Sequence, residues 1–263
     1  MSPELHLAML LDAPLQSWGF ASRFQRRTTG LHPTKSAIAG MLSAALGVDK
    51  HLDGEREVTN ALARLSMTVI TLPKPNPNGS FGQQIRRLED FHTTGGGFDK
   101  RTHPGYIPRK ASGGACDNAT VSYRHYLLDA RFGIILTAPL GWKLPDCLNS
   151  QDQSACRDLS SLAAALRDPV WGIWFGRKCC IPSSPVLAGG PFDLKSDAWR
   201  SLLIAAGLPE NSNWEQFDRI EETRSFDGGV DTINDQPLTF AVPNSHAPRR
   251  IRFVPKSGIR NPK

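Results

Sequence analysis

Apolar and polar residues alternate along Glu4–Leu11, with Leu5, Leu7, Met9 and Leu11 on one period-2 face, which predicts a strand. The turn-rich segment Asp12–Gly19 follows. From Pro33-Thr34-Lys35-Ser36 onward the spacing becomes helical, with Ile38, Met41, Leu42, Ala45 and Leu46 on one stripe, a Thr or Ser as N-cap and Gly47 as the stop. Ser66–Leu72, carrying Met67, Val69 and Ile70, predicts a second strand. Pro73–Gly79, with three prolines and a glycine, predicts a loop.

Ile85–His92 reads as a further strand. Gly95–Asn118 is rich in Gly, Pro and Lys/Arg without periodicity and predicts a long protruding loop or hairpin. Val121–Thr137, with Leu127, Phe132, Ile134, Ile135 and Leu136, reads as one strand bent near Asp129. Ser154–Arg167 is an amphipathic helix through Leu159, Leu162, Ala163 and Leu166, ended by Asp168-Pro169. An aromatic strand is expected before Gly176, within Trp171–Phe175. After about residue 192 the pattern weakens to a short helix (Ala198–Ala206), an acidic segment and a late strand near Leu238–Val242. The order of elements fits an α+β sandwich of the ferredoxin-like kind.

Composition narrows the classes. With 263 residues, 40% hydrophobic and 21% charged, the chain is that of a folded globular protein. No apolar run approaches the roughly 20 residues of a membrane helix, so no membrane partner is expected. Glu4, His6 and Asp12 interrupt any signal-peptide pattern, and the expected compartment is cytoplasmic. A net charge of +6 and a pI near 9.2 favour a polyanionic partner. From Arg249 to Lys263 the chain carries six basic residues and no acid, a pattern equally that of a solvated, frayed terminus. Five cysteines (Cys116, Cys147, Cys156, Cys179 and Cys180) include no Cys-x-x-Cys, and no His pair has zinc-finger spacing. Reduced thiols, no metal and no cofactor are expected.

Three short constellations carry candidate chemistry. Gln16-Ser17-Trp18-Gly19 places a stacking face and hydrogen-bonding side chains directly after a strand, although Trp18 serves equally well as a core-edge aromatic. Thr34-Lys35-Ser36 opens a helix, where free N–H groups, the dipole and a lysine favour a phosphate; taken alone, Thr34 or Ser36 is more often only a cap. Gly176-Arg177-Lys178 sets two cations on a glycine hinge, or forms a solvated loop. Hydrolase, P-loop and zincin motifs are absent. His92, His103 and His125, with Tyr123 and Lys110, form the one set compatible with metal-free RNA cleavage, and no spacing demands it.

Five ordered blocks resemble one family. Leu10-Leu11-Asp12-Ala13-Pro14-Leu15-Gln16-Ser17-Trp18-Gly19 and Pro33-Thr34-Lys35-Ser36-Ala37-Ile38-Ala39-Gly40-Met41-Leu42 are similar to the N-terminal signature of the CasD family of type I-E CRISPR Cascade subunits. That family belongs to the repeat-associated mysterious protein (RAMP) superfamily. Leu88-Glu89-Asp90-Phe91-His92-Thr93, Tyr123-Arg124-His125-Tyr126-Leu127-Leu128-Asp129-Ala130 and Phe175-Gly176-Arg177-Lys178-Cys179-Cys180-Ile181-Pro182 continue the match, which covers about residues 5–190. The resemblance implies a ferredoxin-like (RNA-recognition-motif-like) domain over 1–190, a thumb hairpin at about 93–120, and a smaller C-terminal appendage over 191–263. It implies a non-catalytic RNA-binding subunit that caps the crRNA 5′ handle. Its partners would be the Cascade backbone subunit and large subunit, with target DNA nearby in the assembled complex. By matching block, the RNA-binding residues would be Gln16, Trp18, Lys35, Ser36, His92, Arg124, Arg177 and Lys178. The glycine-rich thumb and basic C-terminal tail depart from the family pattern. Related type I-C proteins cleave precursor crRNA, which leaves a metal-independent endoribonuclease as the alternative.

Overall fold

A computed structural model describes residues 4–19, 25–51, 53–75, 81–82, 85–94, 120–145, 158–226 and 228–257. In chain order the elements begin with β1 (Leu5–Asp12), β2 (Leu15–Gln16), β3 (Arg26–Arg27), α1 (Lys35–Ala45), α2 (Glu55–Ala63) and β4 (Ser66–Thr71). They continue through β5 (Lys74–Pro75), β6 (Phe81–Gly82), β7 (Arg86–Thr94), β8 (Thr120–Leu128), β9 (Arg131–Ala138) and α3 (Leu159–Arg167). The last are β10 (Leu187–Phe192), α4 (Lys195–Ala205), β11 (Arg219–Glu222), β12 (Val230–Thr239) and β13 (Ser245–Val254). The protein is mixed α+β, and its described strands pair antiparallel except β3, which runs parallel to β8.

The main sheet has seven strands in the order β10-β1-β9-β4-β11-β13-β12, every neighbouring pair antiparallel. Helices lie on both faces of its centre, and β1 shows why. Leu7, Met9 and Leu11 pack with Ile38 and Leu42 of α1, Leu62 of α2 and Leu162 of α3. Ala8 and Leu10 on the opposite face pack with Ala198, Leu202 and Leu203 of α4. The expected period-2 face is therefore one of two buried faces. Each leucine so enclosed contributes on the order of 1.5–3 kcal/mol relative to exposure.

Helix α1 begins as its sequence predicts: Thr34 is the N-cap, its hydroxyl accepting from the Ala37 N–H at 3.3 Å. Helix α2, which periodicity reading passed over, buries Val58 and Leu62 in the same core.

The stretch expected as one bent strand is two strands in two sheets. β8 leaves the body with β7, in a register running from Arg86 opposite Leu128 to Thr94 opposite Thr120. β2 and β3 flank β8 to complete a four-stranded sheet. β9 then enters the main sheet. The switch occurs at Asp129, which has φ 50° and whose carboxylate receives Arg86 Nη2 at 2.9 Å and Lys74 Nζ at 3.5 Å. The expected thumb between Thr94 and Thr120 lies outside the described residues.

The chain after residue 190 differs most from expectation. Within the span expected as a smaller C-terminal appendage, β11 pairs with β4, and β13 and β12 extend the same sheet. The basic run that starts at Arg249, for which a frayed terminus is one of two sequence readings, begins inside β13 (Ser245–Val254), with Arg249 buried. The late strand expected near Leu238–Val242 ends at Thr239 and begins earlier, at Val230. Trp171–Phe175 is a loop rather than a strand. In β12 and β13, cross-strand partners and buried ion pairs, not an apolar alternation, hold the chain.

Candidate nucleic-acid interface

The loop Val170–Cys180 is built by its backbone. Val170 and Trp171 donate to the terminal carbonyls of α1, at Ala45 (3.0 Å) and Ala44 (3.2 Å). Ser17 N–H donates to the Phe175 carbonyl at 3.0 Å, and Phe175 N–H to the Cys180 carbonyl at 2.8 Å. Gly176, at φ 94°, must be glycine: a Cβ there would stand 1.7 Å from the Ser17 carbonyl oxygen. Arg177 then spans three segments. Its Nη1 donates to the His125 carbonyl at 3.0 Å, its Nη2 to the Arg27 carbonyl at 2.9 Å, and its guanidinium sits 4.5 Å from the Tyr126 ring centroid. Beneath it, burial pushes the Cys180 thiol up to about 12, with the adjacent Cys179 adding to the shift.

Between this loop, the N-terminus of α1 and the β12–β13 turn runs an open groove of about 460 Å³. It is lined by Ser17, Arg27, Ser36, Trp174, Arg177 and His246, among others. Among the described residues that line it, none is an aspartate or glutamate. A helix N-terminus facing two arginines across an acid-free groove is chemically suited to phosphates. Three blocks far apart in the sequence meet here: Ser17 and Gly19, Thr34 and Ser36, and Gly176 and Arg177.

The residues expected to bind RNA divide. Ser36 and Arg177 line the groove. Lys178 is exposed beside it. Arg124 shares a face of β8 with Tyr126, on which Arg177 stacks, and its Nε donates to Ser122 Oγ at 3.2 Å. His92 lies on that same face of the β7–β8 pair, with Nδ1 3.8 Å from Asp90 Oδ2.

Gln16, Trp18 and Lys35 sit behind the groove and face inward. Gln16 is 0% exposed, donating from Nε2 to the Ala130 carbonyl at 2.7 Å and the Leu11 carbonyl at 3.2 Å. Its Oε1 accepts from Trp18 Nε1 at 3.0 Å, and Trp18, 1% exposed, packs against Phe175 with ring centroids 5.8 Å apart. Trp18 therefore offers no face to a base in this structure. Lys35 points its ammonium at Glu222 Oε1, 2.9 Å away, while its N–H donates to Asp235 Oδ2 at 2.8 Å. Burial holds its pKa below the usual lysine range against the opposing pull of Glu222. These side chains shape the floor and wall.

Among the described residues considered for RNA cleavage, His92 is set apart from Tyr123 and His125. Strand pairing puts His92 on one face of the hairpin and Tyr123 and His125 on the other. His125 Nε2 lies 2.6 Å from Glu89 Oε2; the Tyr123 ring packs edge-on against Phe91 and under Arg26. His103 and Lys110 fall outside the described residues. Sequence reading passed over Arg27, Trp174 and His246 as site residues. The doubled tryptophan in Trp171-Gly-Ile-Trp174 was the available signal for one of them, hidden by reading it as a strand. His246 comes from the start of the distant strand β13 and left no local signal.

The whole fold has known counterparts. Residues 6–254 match the family model described as CRISPR-associated protein (Cas_Cas5). The CRISPR system Cascade subunit CasD of Escherichia coli (strain K12) is 27% identical over 187 residues, 70% of each chain. A chain in a structure titled CRISPR RNA-guided surveillance complex superposes with a TM-score of 0.64 at 29% identity, covering 95% of this chain and 90% of that one. A crystal structure of a Cas protein shares the fold at TM-score 0.57 and 23% identity, covering 98% of both chains. The family match runs from the second residue of β1 to the last of β13 and so takes in every strand that frames the groove; the chain belongs to the CRISPR-associated Cas5 family.

Proposed function

We propose that this protein is the RNA-binding subunit of a type I-E Cascade surveillance complex that caps the 5′ handle of the crRNA. The observation that carries this reading is the acid-free groove at the N-terminus of α1, where separated sequence blocks bring Arg27, Ser36 and Arg177 together. Similarity to a Cascade subunit and to a chain of a surveillance complex supports the same assignment. In this reading β10-β1-β9-β4, with helices connecting β1 to β4 and β9 to β10, is a ferredoxin-like platform. The β7–β8 hairpin is the base of a thumb. The handle follows the groove, with phosphates at Arg27, Arg177 and the α1 N-terminus and with Arg124, His92 and Lys178 farther along the hairpin and loop. The protein acts by holding RNA and neighbouring subunits (backbone and large), near the target DNA, rather than by cutting.

Purification of the complex tests the reading. A copurifying RNA of uniform 5′ end is expected, and Arg27→Ala with Arg177→Ala should weaken its retention and flatten the salt dependence of binding. Absence of RNA from the wild-type complex would sink the assignment. Clean cleavage of repeat RNA in EDTA, abolished by His125→Ala, would overturn the non-catalytic part in favour of the endoribonuclease.

A further inference from the structure

Two tryptophans of the Val170–Cys180 loop are solvent-exposed to nearly the same extent, Trp171 at 43% and Trp174 at 40%. Tryptophan is enriched among the residues that carry binding energy at interfaces, so a half-exposed indole on a held loop is a candidate recognition element. The loop is rigid for reasons already given: hydrogen bonds to α1, Ser17, His125 and Arg27 hold both its ends. An aromatic presented this way loses little conformational freedom when a ligand arrives.

The two indoles face different surroundings. Trp171 lines an adjoining groove of about 260 Å³ that contains Asp49, Glu55 and Lys50 and shares Gly40, Ala44 and Phe240 with the first. Trp174 lines the acid-free groove with Arg27, Ser36, Arg177 and His246. Its six-membered ring lies against Gly172, where a Cβ would stand 2.5 Å from Trp174 Cζ3, so the absence of a side chain lets the indole settle on the backbone. Two carboxylates against one ammonium leave the surroundings of Trp171 net negative, which disfavours a polyanion. The cations that line the groove with Trp174 attract one.

Building on the proposed RNA-binding role, we propose that Trp174 is the stacking platform for an unpaired nucleobase of the RNA held in the groove, the part for which Trp18 is too deeply buried. Arg27 and Arg177 hold the backbone on either side. Asn244, from the β12–β13 turn, and His246, at the start of β13, line the same groove and supply hydrogen-bonding groups at the base edge.

The test uses the full chain and two synthetic RNAs: one carrying the repeat-derived 5′ segment of the guide, the other the same backbone with abasic residues. Binding is read by fluorescence anisotropy, and folding of each variant by its thermal melt. Trp174→Ala should weaken binding of the base-bearing RNA by about tenfold or more and leave abasic binding within about twofold. Trp174→Phe, which keeps an aromatic plane, should retain most of the affinity, and Trp171→Ala should bind both RNAs like the parent. Unchanged binding by a folded Trp174→Ala variant would overturn the proposal. So would equal losses on both RNAs, or an equal loss in Trp171→Ala, since either marks a role in loop shape or protein docking. If the parent protein binds neither RNA, the RNA-binding reading itself fails and takes the stacking role with it; parental binding with an indifferent Trp174 removes the stacking role alone.

Discussion

The carboxylate of Asp235 on β12 receives the guanidinium of Arg249 on β13 in a two-pronged pair, Nε to Oδ1 at 2.5 Å and Nη2 to Oδ2 at 2.9 Å. Both side chains are almost fully enclosed, 1% and 4% exposed. Asp235 Oδ2 also accepts the Lys35 N–H at the first turn of α1, and Glu222 on β11 closes the network by accepting from Lys35 and Arg249. Two cations and two anions balance. Through them the last three strands are locked to the helix whose N-terminus opens on the groove, which sets Asn244 and His246 against Ser36.

Asp235→Ala should therefore destabilise the fold by about 3–5 kcal/mol, because it strands a buried guanidinium. Urea unfolding measures it. Adding Arg249→Met in the same chain should recover part of the loss, since the uncompensated charge is then gone.

Lys35 and Arg27 should behave as opposites. Lys35→Met should lower the unfolding free energy by leaving Glu222 with one cation fewer, and it should leave the salt dependence of RNA binding as it was. Arg27, whose side chain is exposed in the groove, should do the reverse. Arg27→Ala should leave the melt in place and reduce the slope of log K against log salt by about 0.7 for one lost single-strand phosphate contact. A change of slope in Lys35→Met would mean that this ammonium reaches RNA after all.

Gly176→Ala tests the loop. The new methyl group would collide with a backbone oxygen and sit at φ 94°, so either the loop or the Gln16–Gly19 segment must move. The expected cost is about 1–3 kcal/mol in stability, with weakened RNA binding because Arg177 shifts with the hinge. Thermal melts and binding on one sample measure both.

Acid should weaken the protein in two stages. Burial of Glu55 pushes its carboxyl up, but hydrogen bonds from the Thr239 hydroxyl, the Phe240 N–H and the Thr59 hydroxyl outweigh it and hold the pKa below 4.5. The unfolded chain then binds this proton more readily, so the stabilisation is complete above 4.5 and is lost as pH falls through the folded-state value. Burial likewise holds His32 below 6.5, which costs stability as pH drops from that value. Stability measured against pH should decline from about 6.5 and again below 4.5, and Glu55→Gln should flatten the second decline alone.

Local signals carried much of the first half of the fold. The alternation in β1, the stripe and Thr34 cap of α1, the apolar run in β4 and the amphipathic stripe of α3 each depend on neighbours within a few residues. Of the site, the Ser17, Ser36 and Arg177 segments were visible as polar motifs at strand and helix boundaries.

Direction and pairing were not. A tryptophan beside a glycine-containing polar motif reads the same whether it turns to solvent, as Trp174 does, or into the core, as Trp18 does against Phe175. Lys35 at a helix start is the pattern of a phosphate ligand, and only Glu222, far along the chain, converts it into a structural cation. The strands β11 to β13 carry charged residues where apolar ones would signal burial, because Arg249 is satisfied by Asp235 and Glu222 rather than by water.

By itself the sequence determined the periodicities, caps and turns that make β1, α1, β4 and α3, and it held the blocks that resemble the family, since these features lie within single short segments. Tertiary structure decided which polar groups remain available to a ligand. That choice depends on which distant charge or carbonyl each side chain meets, and no local spacing records such encounters.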